Sequence, residues 1–318
     1  MILVTGATGF VGSAVLERLA ADCSQNIRAA VRVLPDKQID GIEYLQVSDL
    51  APATDWSYAL ASVDVVVHAA ARVHMMEDAA ANPLEEFRRV NTAGTLSLAR
   101  QASEAGVRRF IFISSIKVNG EATRAGACFS ADDRPSPADP YGISKMEAEQ
   151  GLRELARSSG MEVVIIRPPL VYGPGVKANF ESMMKWLLRG VPLPLGAIPN
   201  RRSLVALDNL VDLIVLCINH PAAANETFLA SDGEDLSTTD MLRRLGLALG
   251  RPARLVPVPA KALELMARFL GKQAVVQRLC GSLQVCIEKN KELLGWVPPI
   301  SVDEGFHRAA RHFVSSGR

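Results

Sequence analysis

MILVTGATGFVG, residues 1–12, is the stretch on which the fold turns. A short apolar run, residues 2–5, leads directly into three glycines spaced three apart, Gly6, Gly9 and Gly12. A helical pattern over residues 10–21 follows. A helix that opens at the end of a strand points unpaired N–H groups and a partial positive charge at whatever lies there, so the turn attracts an anion. Gly6 permits the tight turn, Gly9 lets the backbone approach a diphosphate, and Gly12 lets the helix lie against the strand. Turns use glycine freely, so the flanking strand and helix carry the inference, which is dinucleotide binding.

Beyond this turn, apolar runs recur at 27–32, 43–47, 64–70, 109–114 and 163–167, with helical stretches between them that include 83–105 and 142–159. The runs are mostly unbroken, the mark of strands buried on both faces of a parallel sheet. Repeated β–α units predict an α/β fold, a Rossmann-type doubly wound sheet. After Arg167 the texture changes to prolines, glycines and short helices. We therefore expect a dinucleotide-binding domain over 1–168 plus about 203–230, with a strand–helix pair near 203–219 returning to the sheet. A smaller, mixed substrate domain is expected over about 169–202 plus 231–318. The apolar stretch ARLVPVPAKALELMARFLG, residues 253–271, reads either as a membrane-surface or partner helix or as the core of that domain, and core is the expected role.

Composition narrows the function classes. A net charge of +1 gives no basic excess for neutralising nucleic-acid phosphates. Five cysteines without CxxC spacing fit a reducing compartment and neither a disulfide framework nor a zinc site. With no signal peptide and no apolar run of about 18 residues, a cytoplasmic location without an integral membrane segment is expected.

The glycine spacing is TGxxGxxG, and later landmarks follow in order: HAAA (68–71), NTAGT (91–95), SSIKVNG (114–120), YGISK (141–145), RPPLVYGPG (167–175), RSLVALDNL (202–210) and LLGWVP (293–298). In this combination the chain resembles the extended short-chain dehydrogenase/reductases, most closely those that act on nucleotide sugars. The resemblance implies that Ser115, Tyr141 and Lys145 are catalytic. It implies a cofactor site that includes Phe10, Val11, Asp49, Leu50, Ala69, Ala70, Ala71 and Pro168, together with Tyr141 and Lys145. It also implies that Val73, His74, Ser115, Lys117, Asn179 and Arg202 meet the substrate, Asn179 and Arg202 at the nucleotide diphosphate. A homodimer is expected on the same ground.

Tyr141 and Lys145 are i and i+4 on one helix face. A fixed ammonium favours the phenolate, so the pair is expected to make Tyr141 a usable proton donor or acceptor at a carbonyl oxygen. Ser115 lies four residues before Asn119, where relatives carry the tyrosine of a VYG segment, and so takes the catalytic hydroxyl role ahead of Ser114. Ile116 and Lys117 replace the Asp–Glu pair of the 4,6-dehydratases, which argues against dehydration. Lys117 is either a substrate contact or an ion-paired surface lysine. Asn91 is expected to hold the active-site helix, and His68 to be a core residue, not a metal ligand.

Arg32 stands where an NAD-specific site presents an acid to the ribose hydroxyls. A guanidinium pairs with a 2′-phosphate, so NADP is favoured over NAD. Leu170 replaces an asparagine frequent in epimerases. The resemblance therefore points to an NADPH-dependent reductase of a UDP-linked 2-acetamido-2,6-dideoxy-4-keto sugar in surface-polysaccharide synthesis. A UDP-sugar 4-epimerase with bound NAD is the alternative, and a non-catalytic dinucleotide sensor a distant third.

Overall fold

The computed structural model describes residues 1–22, 25–73, 82–124, 126–269, 271 and 273–317. The first half alternates strand and helix: β1 (Ile2–Thr5), α1 (Phe10–Asp22), β2 (Ile27–Val31), β3 (Ile42–Gln46), α2 (Ser57–Leu60) and β4 (Val65–His68). Next come α3 (Pro83–Phe87), α4 (Thr95–Glu104), β5 (Arg109–Ile113), α5 (Pro140–Ser159) and β6 (Glu162–Arg167). The second half contains β7 (Leu170–Tyr172), α6 (Ala178–Leu188), β8 (Arg202–Ala206), α7 (Leu207–Asn219), β9 (Thr227–Leu229) and β10 (Asp235–Leu236). Five helices end the chain: α8 (Thr238–Ala248), α9 (Ala260–Phe269), α10 (Gln273–Cys280), α11 (Glu288–Leu294) and α12 (Val302–Ser315).

Seven strands form one sheet in the order β3-β2-β1-β4-β5-β6-β9, and every pairing in it is parallel. Parallel strands expose both faces to helices, which explains the unbroken apolar runs: β1, β2, β4 and β5 are buried along their whole length. Side chains alternate between faces, so each strand feeds two cores. Ile2, Val4, Val65 and Val67 pack with α1 and α7, whereas Leu3, Val66, Phe110 and Phe112 pack with α4 and α5. Chain order reverses between β1 and β4, and the crevice at such a switch point lies at the carboxyl ends of the strands.

Two expectations about the fold need correction. The strand near 203 does not return to the large sheet: β8 pairs with β7 and β10 in a separate three-stranded sheet. β9 takes the seventh place, while α7 still packs on the large sheet through Leu210, Leu213 and Ile214. The helix expected over 83–105 is interrupted by a π-helical turn, Arg88–Gly94, which separates α3 from α4.

The small sheet and α6, α8 and α12 enclose a second core around Tyr172, Phe180, Leu245 and Phe306. Three landmarks that carried the resemblance turn out to join parts of the fold. The Tyr172 hydroxyl donates to Asp232 Oδ2 at 2.8 Å, and the Asn209 Nδ2 donates to Asp232 Oδ1 at 2.7 Å. The Trp296 indole of LLGWVP donates to Asp212 at 2.9 Å.

The cysteine expectation is also corrected. Cys128 and Cys286 form a disulfide with Cα atoms 5.7 Å apart. They are 158 residues apart in the chain, so no local spacing announced them. Backbone pairing aligns them: the Phe129 N–H donates to Gln284 O at 2.8 Å and the Cys286 N–H to Phe129 O at 2.9 Å.

Candidate active site

Gly6 has φ +68°, a left-handed conformation that side chains disfavour, and a Cβ there would lie 2.6 Å from the Ala70 nitrogen. A Cβ on Gly12 would lie 2.2 Å from the Gly6 carbonyl oxygen. The two missing side chains press β1, α1 and the residues after β4 together. Phe10 and Val11 open α1 at this point, and Ala69, Ala70 and Ala71 run past it. The result is a backbone-lined cradle at the switch point with a 13-residue helix pointing its N-terminus into it. That cradle fits the diphosphate of a dinucleotide.

At the rim, Arg32 is exposed directly after β2, and its carbonyl accepts a hydrogen bond from Gln46 Nε2 at 2.9 Å. Asp49 is exposed, accepts from Thr54 Oγ1 at 3.1 Å and lies 4.0 Å from Arg89. Leu50 follows, half-buried against the α4–α5 core. Asp49, three residues past the end of the β3 neighbour of β2, and Arg32 therefore share one edge of the sheet.

The helix α5 carries the chemistry-bearing pair. Asp139 caps it, accepting the Gly142 N–H at 2.7 Å, Pro140 presets its first turn, and Gly160 ends it in the left-handed conformation. A Cβ on Gly142 would lie 2.9 Å from the Lys117 carbonyl oxygen. The first turn of α5, with Tyr141, therefore rests on the 3₁₀ turn over Ile116–Val118, which Ser115 caps by accepting the Lys117 N–H at 3.3 Å. The same turn is tied to the end of β6, where the Pro168 carbonyl accepts the Ile116 N–H at 3.0 Å. Ser115, Tyr141, Lys145 and Pro168 thus converge at the carboxyl ends of β5 and β6.

Lys145 is buried, and its Nζ donates to the Ile113 carbonyl at 2.9 Å and lies 4.4 Å from the Phe112 ring centroid. Burial lowers its pKa to about 7, with the Glu149 charge opposing the shift. The Nζ is 6.0 Å from the Tyr141 ring centroid. In the protein alone, burial first, and the negative charge of Asp139 second, push the Tyr141 pKa up, opposite to the direction expected from a neighbouring ammonium. Tyr141 therefore stands protonated, its ring edge-on to Phe87 at 5.9 Å.

Ser114 is committed elsewhere. Its hydroxyl donates to Glu149 Oε1 at 2.6 Å in a buried network, in which Arg167 donates to both Glu149 oxygens at 2.9 and 2.5 Å and to Asn119 Oδ1 at 2.9 Å. Sequence reading missed Glu149 and Arg167 as site supports. The signal was present, since Glu149 continues the i, i+4 face of Tyr141 and Lys145 for another turn. Asn91 is buried, accepts the Arg72 N–H at 2.8 Å and donates to Ser144 Oγ at 3.1 Å, which pins α5 to the strand-4 loop. His68 bonds Thr5 at 2.6 Å and Thr95 at 2.9 Å, and burial, then the Lys145 charge, lower its pKa to about 3.

The expected substrate residues are spread along the second lobe, the strand-4 loop and the 3₁₀ turn after β5. Lys117 is ion-paired with Asp139 and lies 3.7 Å from Glu121, so its charge is already balanced inside the protein. Val73 is exposed, Asn179 is exposed as the second residue of α6, and His74 lies outside the described residues. Arg202 opens β8 and donates to the Gly281 carbonyl at 3.0 Å.

A glycine cradle at the switch point, with Tyr141 and Lys145 on one helix face beside it, defines a short-chain dehydrogenase/reductase of the extended type. The family pattern described as "NAD dependent epimerase/dehydratase family" matches residues 2–230, and the chain belongs to that family. It is 51% identical over 316 residues to a UDP-glucose 4-epimerase of Vibrio cholerae, covering 99% of this chain and 96% of the relative. It is 28% identical to an N-acetyl-alpha-D-glucosaminyl-diphospho-ditrans,octacis-undecaprenol 4-epimerase of Escherichia coli O157:H7, covering 98% and 94%. Among solved structures, a UDP-glucuronic acid 4-epimerase from Bacillus cereus in complex with NAD superposes with TM-score 0.79 at 20% identity, over 100% and 99% of the two chains, a likeness of fold.

Proposed function

We propose that this enzyme transfers hydride at C4 of a UDP-linked sugar, and that its net reaction is reduction of a 4-keto, 2-acetamido-2,6-dideoxy sugar with NADPH. Placement of Tyr141 and Lys145 on one face of α5, beside the glycine cradle, carries the first part. A bound nicotinamide supplies the hydride. Tyr141, held protonated by its surroundings, gives its proton to the ketone oxygen, which becomes the hydroxyl. Ser115, at the tip of the adjoining turn, orients that oxygen. Arg202 and Asn179 hold the diphosphate from the second lobe. Both curated relatives cited above carry names of diphosphate-linked sugars or nucleotide sugars, in keeping with that role.

Arg32 supports the choice of NADPH, since an exposed guanidinium after β2 suits a 2′-phosphate. Leu170, 41% exposed on β7, supports reduction over epimerisation because it removes an amide from the substrate side. The second reading is a 4-epimerase with retained NAD, and the 51% identity to the Vibrio cholerae enzyme favours it. Purified protein decides between them. Reduction requires stoichiometric NADPH oxidation with a UDP-4-keto sugar and no interconversion of UDP-hexoses; bound NAD with interconversion establishes the epimerase. Arg32→Asp is expected to reverse the NADPH/NADH preference, and an unchanged ratio removes Arg32 from that role. The reading carries with it a cytoplasmic site of action and a homodimer, to be checked by cell fractionation and sedimentation.

A further inference from the structure

Only part of the stretch expected to be core is: Ala253 and Leu255 pack against the second-lobe core, but most of α9 does not. Within α9 only Leu263 among the large apolar residues is buried, at 7% exposure. Leu265, Met266 and Phe269 are 56%, 48% and 84% exposed. At i, i+1 and i+4 these three share one face of the helix, which adjoins the buried Leu263 through Met266 and turns away from it toward Leu265. Val256, 47% exposed, lies on the approach to the same helix. An apolar face this open, on a helix whose main packing partner among the described elements is α10, is what a soluble monomer avoids.

Charge shows what the face meets. Residues 251–280 contain six basic residues against one acidic, a net of +5 in a chain whose total is +1. The rest of the protein therefore carries −4. Lys261 and Arg268 are exposed and flank the apolar face, one turn before Leu265 and one residue before Phe269. Arg251 and Arg254 are exposed in the segment that leads into α9. A basic margin around exposed Leu, Met and Phe is the pattern of a helix lying in the plane of a bilayer surface, its apolar face among acyl chains and its cations among anionic headgroups. Among the described residues no helix is long and apolar enough to cross a membrane, so the attachment is peripheral.

We propose that α9 and its basic flanks dock the protein on an anionic phospholipid surface. The docked element belongs to the substrate side of the molecule. The chain leaving α10 is clamped there by Asn200 Nδ2, which donates to Leu279 O at 3.1 Å and Gly281 O at 2.9 Å, and by Arg202 on Gly281. A bilayer-bound enzyme thus presents its second lobe, and with it Arg202, toward the membrane.

Co-sedimentation with vesicles tests this without reference to activity, so its outcome is independent of the reaction proposed above. Full-length protein is expected to pellet with phosphatidylcholine–phosphatidylglycerol vesicles at low salt, and hardly with phosphatidylcholine alone. Leu265→Ser with Phe269→Ser should lower the bound-to-free ratio by about tenfold or more. Lys261→Glu with Arg268→Glu should lower it by at least about fivefold per removed cation and weaken its salt dependence. Unchanged melting temperature and NAD(P)H fluorescence titration show that the variants are folded. Absence of binding to anionic vesicles overturns the proposal, as does binding that both variants leave intact. Concentration-dependent self-association without vesicle binding, removed by Phe269→Ser, overturns it in favour of a contact between copies of the chain.

Discussion

Two helices of this protein invert the usual rule in opposite directions. α5 buries polar groups, with Ser144, Lys145 and Glu149 almost wholly inaccessible, while α9 exposes Leu265, Met266 and Phe269. In α5 every buried charge has found a partner: Lys145 the Ile113 carbonyl and the Phe112 face, Glu149 the guanidinium of Arg167 and the hydroxyl of Ser114. Burying ions costs several kcal/mol each unless such partners exist, and this network supplies them while fixing the position of α5 against β5 and β6. Among the described residues the α9 face stays open, with Leu265, Met266 and Phe269 about half exposed or more. Inversion with partners marks a site built inward; inversion without them marks a surface built for something outside the chain.

The largest expected effect is on activity within α5. Tyr141→Phe should lower turnover by about 10²–10⁴-fold, the usual contribution of a general acid, while cofactor affinity by fluorescence titration and melting temperature stay near wild type. Turnover within a few-fold of wild type would separate the buried face of α5 from the chemistry. Glu149→Ala should cost about 3–5 kcal/mol in chemical denaturation, because it leaves the Arg167 guanidinium buried without its counter-charge. A loss below about 1 kcal/mol would show that the network is ornamental to stability.

Neighbouring serines sharpen the same contrast. Ser114→Ala removes a buried hydrogen bond to a carboxylate and should cost about 1.5–3 kcal/mol. Ser115→Ala removes only a long cap bond, should cost no more than about 1 kcal/mol, and should act mainly on turnover. Reversal of that pattern would exchange their roles.

His68 supplies a pH test of the buried face. Its folded pKa, about 3, lies below the ordinary 6.5, so between these values the unfolded chain binds a proton that the native protein refuses. The stability from keeping this ring neutral is complete above about 6.5 and is lost as pH falls toward about 3. Denaturation series across that window should show a shallower acid limb for His68→Gln than for wild type. At the far end of the scale, Phe269→Ser on α9 should shift stability in buffer by no more than about 0.5 kcal/mol, as at an ordinary exposed position. A large destabilisation would mean that the α9 face is core after all.

The sequence by itself determined the parallel sheet, because strands covered on both faces must be apolar throughout. It also determined the glycine cradle, because only a residue without a Cβ tolerates the Gly6–Gly12 contact, and the common face of Tyr141 and Lys145, because helical spacing is local. Tertiary structure alone decided what depends on contacts distant in the chain. It placed β9, not β8, as the seventh strand, and it joined Cys128 to Cys286. It also set the direction in which the Tyr141 pKa moves, since burial and Asp139 raise it while the Lys145 ammonium is turned toward Ile113. Apolar periodicity in α9 was legible from the first reading; which side of it meets water was not, because amphipathic patterns specify a face and only packing specifies what lies against it.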